Sequence, residues 1–71
     1  MAESVTAPMV GKVLQVQCKV GDIVEENQIL LVLEAMKMEI PVVAPAAGRI
    51  TEVNVLVGQT VESDTILAVI E

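Results

Sequence analysis

The chain has 71 residues, 54% of them apolar, a formal net charge of −6, and no His, Phe, Tyr or Trp. A chain this short makes one small domain, 1–71, that buries only about 60% of its unfolded surface. The acidic balance excludes nucleic acid as a partner, because phosphate binding needs clustered Lys or Arg and base stacking needs aromatics, whereas Lys12, Lys19, Lys37 and Arg49 are scattered. Without His the most common general acid/base is missing, so a non-catalytic domain is expected, with no catalytic and no metal-binding residues. One cysteine permits no internal disulfide, which fits a reducing compartment. No apolar run approaches the 18 residues of a membrane span, and no signal peptide is legible. The expectation is a soluble, cytoplasmic domain without direct membrane insertion, or an organellar-matrix one if it belongs to a larger protein.

The chain repeats itself. Residues 7–34 align without a gap on residues 44–71 at a constant offset of 37, and twelve of the 28 pairs are identical, among them Pro8/Pro45, Gly11/Gly48, Gly21/Gly58 and Glu34/Glu71. Two copies at a fixed period suit a pseudo-two-fold sandwich better than a solenoid, which needs more repeats. In chain order, Pro8 lies near a strand end, where a missing N–H is tolerated. From Val13 to Val20 the residues alternate, with Leu14, Val16, Cys18 and Val20 on one face and Val13, Gln15, Gln17 and Lys19 on the other; Ile50 to Val57 does the same in the second copy. Ile29–Leu33 and Ile66–Ile70 are short apolar runs typical of strands buried between two sheets. Val16, Val53, Ile29 and Ile66 are therefore expected in the core, and Cys18 as a small buried hydrophobe rather than a reactive thiol. The four glycines mark turns or bulges. No window has helical periodicity with caps. The fold expected is all-β: two small antiparallel sheets related by a pseudo-dyad.

Between the copies, Glu34-Ala35-Met36-Lys37-Met38-Glu39 occurs once. Glu34 and Glu39 are equidistant from the midpoint of Met36-Lys37, so a hairpin centred there has Ala35-Met36-Lys37-Met38 at its tip. Tight hairpins usually carry Asn-Gly, Asp-Gly or Gly because the backbone needs positive φ. Met36 and Lys37 offer no such relief, and local rules tend to break where function overrides them. On spacing and turn chemistry alone, Lys37 reads equally as an attachment point or as one solvated loop lysine. Two halves joined by this hairpin place the pseudo-dyad near Met36-Lys37 and both termini at the opposite end.

With its flanking glutamates, Ala35-Met36-Lys37-Met38 resembles the attachment motif of biotinyl domains, the carboxyl carrier modules of biotin-dependent carboxylases and decarboxylases. The resemblance runs over about residues 5–71 and includes Ala7-Pro8-Met9, Gly11, Val20-Gly21-Asp22, Ala44-Pro45 and Gly48. It implies a flattened barrel of two four-stranded antiparallel sheets with the lysine on an exposed hairpin. The protruding loop that some members carry in the first half looks absent, since Val16 to Gly21 passes straight into the next turn. The resemblance also implies covalent biotin, joined as an amide to Lys37 by a biotin protein ligase that uses an activated biotinyl adenylate. Glu34, Ala35, Met36 and Met38 would be the flanks that the ligase reads, with adaptable packing as the plainer reading of the two methionines. The tethered biotin would carry an activated carboxyl group between a biotin carboxylase and a carboxyltransferase, the other partners implied. Lys12 and Lys19 lack methionine neighbours, so Lys37 is expected as the sole site. Two alternatives share the fold: a lipoyl-type carrier, whose lysine is usually flanked as Asp-Lys-Ala, and an unmodified structural or interaction domain.

Overall fold

A computed structural model describes residues 2–71; Met1 lies outside the described residues. Eight strands follow in order: β1 Glu3–Thr6, β2 Gly11–Val16, β3 Ile23–Val24, β4 Ile29–Ala35, β5 Met38–Val43, β6 Gly48–Val53, β7 Thr60–Val61 and β8 Ile66–Ile70. They form two four-stranded antiparallel sheets, β1-β8-β6-β3 and β5-β4-β2-β7, as expected. Adding 37 to the residue numbers maps β1–β4 onto β5–β8 and exchanges the sheets. The pairing repeats residue by residue: Val5 opposes Ala68 as Val42 opposes Leu31, and Thr6 opposes Ile66 as Val43 opposes Ile29. The structural repeat therefore begins at Glu3, before the Ala7 start that the identities suggest. The pair Val5/Val42, both buried, belongs to it.

Two pairs of equivalent bulges decide which side chains face the core. Between Val13↔Leu33 and Gln15↔Val32 the strand β2 carries one extra residue, Leu14, and Thr51 is the extra residue of β6. A bulge of this kind turns the alternation by one position. Val13 and Ile50, expected on the outer face, are accordingly fully buried, while Val20 and Val57 are exposed. Gln15 stays outside, and Val16 and Val53 pack half-buried against the core. Likewise Leu30 is the extra residue of β4 and Leu67 that of β8. Each extra residue lets two successive side chains point inward, Leu30-Leu31 and Leu67-Ala68, all with no exposed surface. Ile29 and Ile66 then fall on the outside, 43% and 46% exposed, which corrects the expectation that they are core residues. Cys18 is buried as expected, and no buried side-chain polar atom lacks a partner among the described residues.

One turn design recurs four times. In Lys19–Asp22, Glu25–Gln28, Leu56–Gln59 and Glu62–Thr65 the last N–H donates to the first carbonyl at 3.1 Å, and the last side chain accepts from the first N–H at 3.0–3.1 Å. The third residue of each has positive φ: Gly21 at 96°, Asn27 at 71°, Gly58 at 92° and Asp64 at 68°. That is the type II requirement, met by the residue types that tolerate it best. The first of these turns carries the chain directly from β2 to β3, so no protruding loop separates them.

The long dimension is 32 Å against 17 Å for the others, and the β4–β5 hairpin occupies one end of it. Gly11 lies beside Glu34 and Ala35 at that end. The short link from Gly11 back to Ala7 reaches the start of β8, because the Ala7 N–H donates to the Thr65 carbonyl and the Asp64 N–H to the Ala7 carbonyl. β8 therefore starts near the hairpin and runs away from it, to Ile70 paired with Glu3. The two ends of the described chain meet at the pole opposite the hairpin, as expected. The dyad exchanges the poles, so its axis crosses the middle of the molecule and does not pass near Met36-Lys37; the sequence expectation is corrected on that point.

These packing assignments predict a specific order of thermal stabilities. Leu30→Ala and Leu67→Ala should each cost about 2–5 kcal/mol, a large part of a small domain's total. Ile29→Ala and Ile66→Ala should cost about 1 kcal/mol or less, because their side chains are already partly hydrated. Denaturant melts of the four variants check this, and equal costs would contradict the bulged register.

Candidate cofactor-attachment site

The hairpin register is Leu33↔Ile40, Glu34↔Glu39 and Ala35↔Met38, which leaves Met36 and Lys37 as a two-residue loop. Such loops match the twist of the strands as type I′ or II′ turns, and the I′ form needs positive φ at both residues. Met36 has φ 52° and Lys37 φ 62°, with neither glycine nor asparagine at either place. An L-residue in this conformation costs roughly 1–2 kcal/mol, so the loop stores about 2–4 kcal/mol. What holds it there is β4. Its Leu30, Leu31 and Leu33 are fully buried, each worth about 1.5–3 kcal/mol relative to exposure. β4 also pairs along its length with β5 on one side and β2 on the other. Burial exceeds loop strain, and the register cannot slip by one residue without turning Leu33 and one of the adjacent pair Leu30-Leu31 outward.

The neck of the hairpin is tight. Ala35 is buried, and a Cβ on Gly11 would stand 2.8 Å from the Glu34 carbonyl oxygen and 3.4 Å from the Ala35 methyl. Gly48 meets the same restriction against Glu71 and Ile70 at the other pole. Any larger residue at 11 would push β2 away from β4 where the hairpin emerges. Beyond the neck everything is open: Lys37 is exposed, Met36 is 83% exposed and Met38 65%. Exposed Glu34 has Glu39 opposite it on one neighbouring strand and Lys12 on the other.

The structure thus brings together Glu34, Ala35, Met36, Lys37 and Met38, all expected from the sequence. It gives Gly11, read from the sequence as a turn or bulge and as part of the family resemblance, a specific place: the residue that lets the hairpin neck close. The sequence signal for it was the Gly11/Gly48 identity. Cys18 stands apart; burial, and secondarily the negative charge of Asp22, push its thiol pKa up, away from reactivity. No pocket opens among the described residues, and no group of His, Cys, Asp or Glu among them could hold a metal ion. No helix of the structure is long and apolar enough to cross a membrane. What the site offers is one primary amine at the apex of a rigid projection, flanked by two thioethers. That is suited to covalent attachment rather than to enclosure of a ligand.

The strain predicts a gain from conventional turn residues. Met36→Asn with Lys37→Gly should raise unfolding free energy by about 1–2 kcal/mol, since this dipeptide takes the required φ values readily. Calorimetry of the double variant checks it, and an unchanged or lowered midpoint would contradict the strain assignment.

Comparison with known proteins agrees with the geometry. Residues 3–70 match a family described as biotin-requiring enzyme. A biotin carboxyl carrier protein of Streptococcus mutans is 55% identical over 42 residues, 59% of this chain and 32% of that protein. The gamma subunit of glutaconyl-CoA decarboxylase from Acidaminococcus fermentans is 58% identical over 36 residues, 51% of this chain and 25% of that subunit. The chain thus spans a third or less of the length of these relatives. In crystal structures, the urea carboxylase of Kluyveromyces lactis contains a matching region at TM-score 0.94 and 31% identity, covering 100% of this chain and 6% of that one. With two four-stranded sheets, an exposed lysine at a hairpin tip and a family match over nearly its whole length, this chain belongs to the biotin-requiring enzyme family.

Proposed function

We propose that the Lys37 Nζ is the atom to which biotin is joined, and that the domain itself catalyses nothing but carries a carboxyl group for a biotin-dependent carboxylase or decarboxylase. The observation that carries this reading is the hairpin: one lysine held at the tip of a strained, register-locked loop, exposed between two exposed methionines. One relative's name, a biotin carboxyl carrier protein, supports the cofactor, and another's, a decarboxylase subunit, supports the class of parent enzyme. They favour biotin over the lipoyl alternative. The glutaconyl-CoA decarboxylase and the urea carboxylase are named for different substrates. The carrier fold is therefore proposed as common to several acceptors.

The residues present fit the group. Attachment needs an amine that can lose its proton and reach a carboxyl already activated by another enzyme, and it needs no pocket on the carrier. Lys37 Nζ, once deprotonated, attacks the carboxyl carbon of the biotinyl adenylate supplied by a biotin protein ligase. A C–N bond forms, the bond to phosphate breaks, AMP leaves with the electron pair, and the nitrogen gives up one further proton to solvent. Met36 and Met38 present unbranched apolar surface for the ligase to grip, while Gly11 and Ala35 keep the projection rigid at its neck. When bound, biotin supplies the ureido ring that takes up and gives back a carboxyl group. The domain contributes position. The hairpin points away from the pole where Glu3 and Ile70 pair, so a domain anchored there presents its cofactor outward. Tethering raises the effective concentration at each partner site to the order of mM for short flexible links.

Incubation with a biotin protein ligase, biotin and ATP should raise the mass by one biotin less one water. Lys37→Arg should abolish the rise and leave the melting temperature within about 1 °C, since an exposed side chain contributes little to stability. Labelling of the variant at Lys12 or Lys19, or labelling of the parent by a lipoyl ligase alone, would overturn the assignment.

A further inference from the structure

We propose that Met36 and Met38 form a reversible oxidation site, at which a hydroperoxide converts either thioether to a sulfoxide and so slows attachment at the neighbouring Lys37. The proposal rests on the reading of Lys37 as the acceptor. In the step, the sulfur lone pair attacks one peroxide oxygen; the S–O bond forms, the O–O bond breaks, and the alcohol or water leaves with its proton. Sulfur is oxidised by two electrons and the peroxide reduced by the same two.

Among the described residues, the distribution of oxidisable side chains confines the reaction. The chain has no Trp, Tyr or His and one cysteine. Cys18 retains only 8% of its surface and sits in the core cluster, where it is shielded from oxidants in solution. Met9 is half-buried. Among the described residues the well-exposed methionines are Met36, at 83%, and Met38, at 65%, on either side of the lysine. Neither methionine belongs to the core cluster, so oxidation changes the surface that the ligase meets without loosening the fold. A sulfoxide replaces a flexible apolar group by a polar, chiral one. A partner surface shaped for two thioethers must then desolvate an oxygen that it cannot satisfy. Methionine sulfoxide reductases reverse the change.

The test treats the intact domain with tert-butyl hydroperoxide and maps the oxygen by peptide mass spectrometry. Met36 and Met38 should gain oxygen before Met9 and Cys18. The oxidised domain should then be biotinylated about tenfold more slowly, the scale set by burying one unsatisfied polar group. Its melting temperature should not change, and the rate should return after reductase treatment. Met36→Leu with Met38→Leu should make the labelling rate indifferent to peroxide. Oxidation of Met9 as fast as the hairpin pair, an oxidised domain labelled at the parental rate, or a fall in melting temperature that accounts for the loss would each overturn the proposal. Labelling of untreated Lys37→Arg would instead strike the assignment of Lys37 and is read separately.

Discussion

The structure depends on the register of one strand. β4 pairs with β5 on one side and β2 on the other, and it carries Leu30, Leu31 and Leu33, none with exposed surface. Moving it by one residue would turn Leu30 and Leu33 toward water and bring Val32 and Glu34 inward, the second at a charge-burial cost far above any loop strain. Because β4 cannot move, β5 must return after two residues, and the loop must take the backbone that a two-residue return requires. The positive φ values of Met36 and Lys37 follow from that core, not from their own preference. The same chain of causes makes Gly11 necessary, since β2 approaches β4 within a Cβ's reach just below the loop.

Duplication supplies an internal control on this reasoning. Bulges, turns and buried positions recur at an offset of 37, down to the pair Gly11 and Gly48 at the two poles. The hairpin is the exception. Its counterpart at the other pole is the pair of strands β1 and β8, where no loop joins Glu3 to Ile70 in the described chain. One fold therefore yields two ends with the same packing and different roles. The closed end projects a lysine between two methionines, and the other brings the chain's first and last strands together. The dyad requires that difference to lie along the long axis, which suits a module that is held at one end and works at the other.

The division of labour follows. The domain offers no pocket and no metal-ligating group among its described residues, and its single thiol is buried. What it contributes is a fixed projection on a rigid two-sheet body of 32 Å. A rigid carrier loses little conformational entropy when a partner grips it, so more of the contact energy is left for recognition. The exposed methionines at its tip add adaptable apolar surface.

The sequence by itself determined the all-β class, the duplication, the place of the hairpin and the identity of its lysine. These depend on local patterns: alternation, apolar runs, glycine spacing and a motif at the midpoint of the repeat. It also held a warning in Met36-Lys37, a pair unsuited to the turn it occupies. Tertiary structure alone decided which faces are buried. Leu14, Leu30, Thr51 and Leu67 are extra residues only with respect to their partner strands. Each bulge turns the side-chain alternation by one step, so Val13 and Ile50 enter the core while Ile29 and Ile66 leave it. No pattern within a single strand shows where its neighbour skips a residue, because that choice is made by packing between segments distant in the chain. The position of the dyad was decided the same way: the order of strands, and not the length of the hairpin between the copies, places the axis across the middle of the molecule.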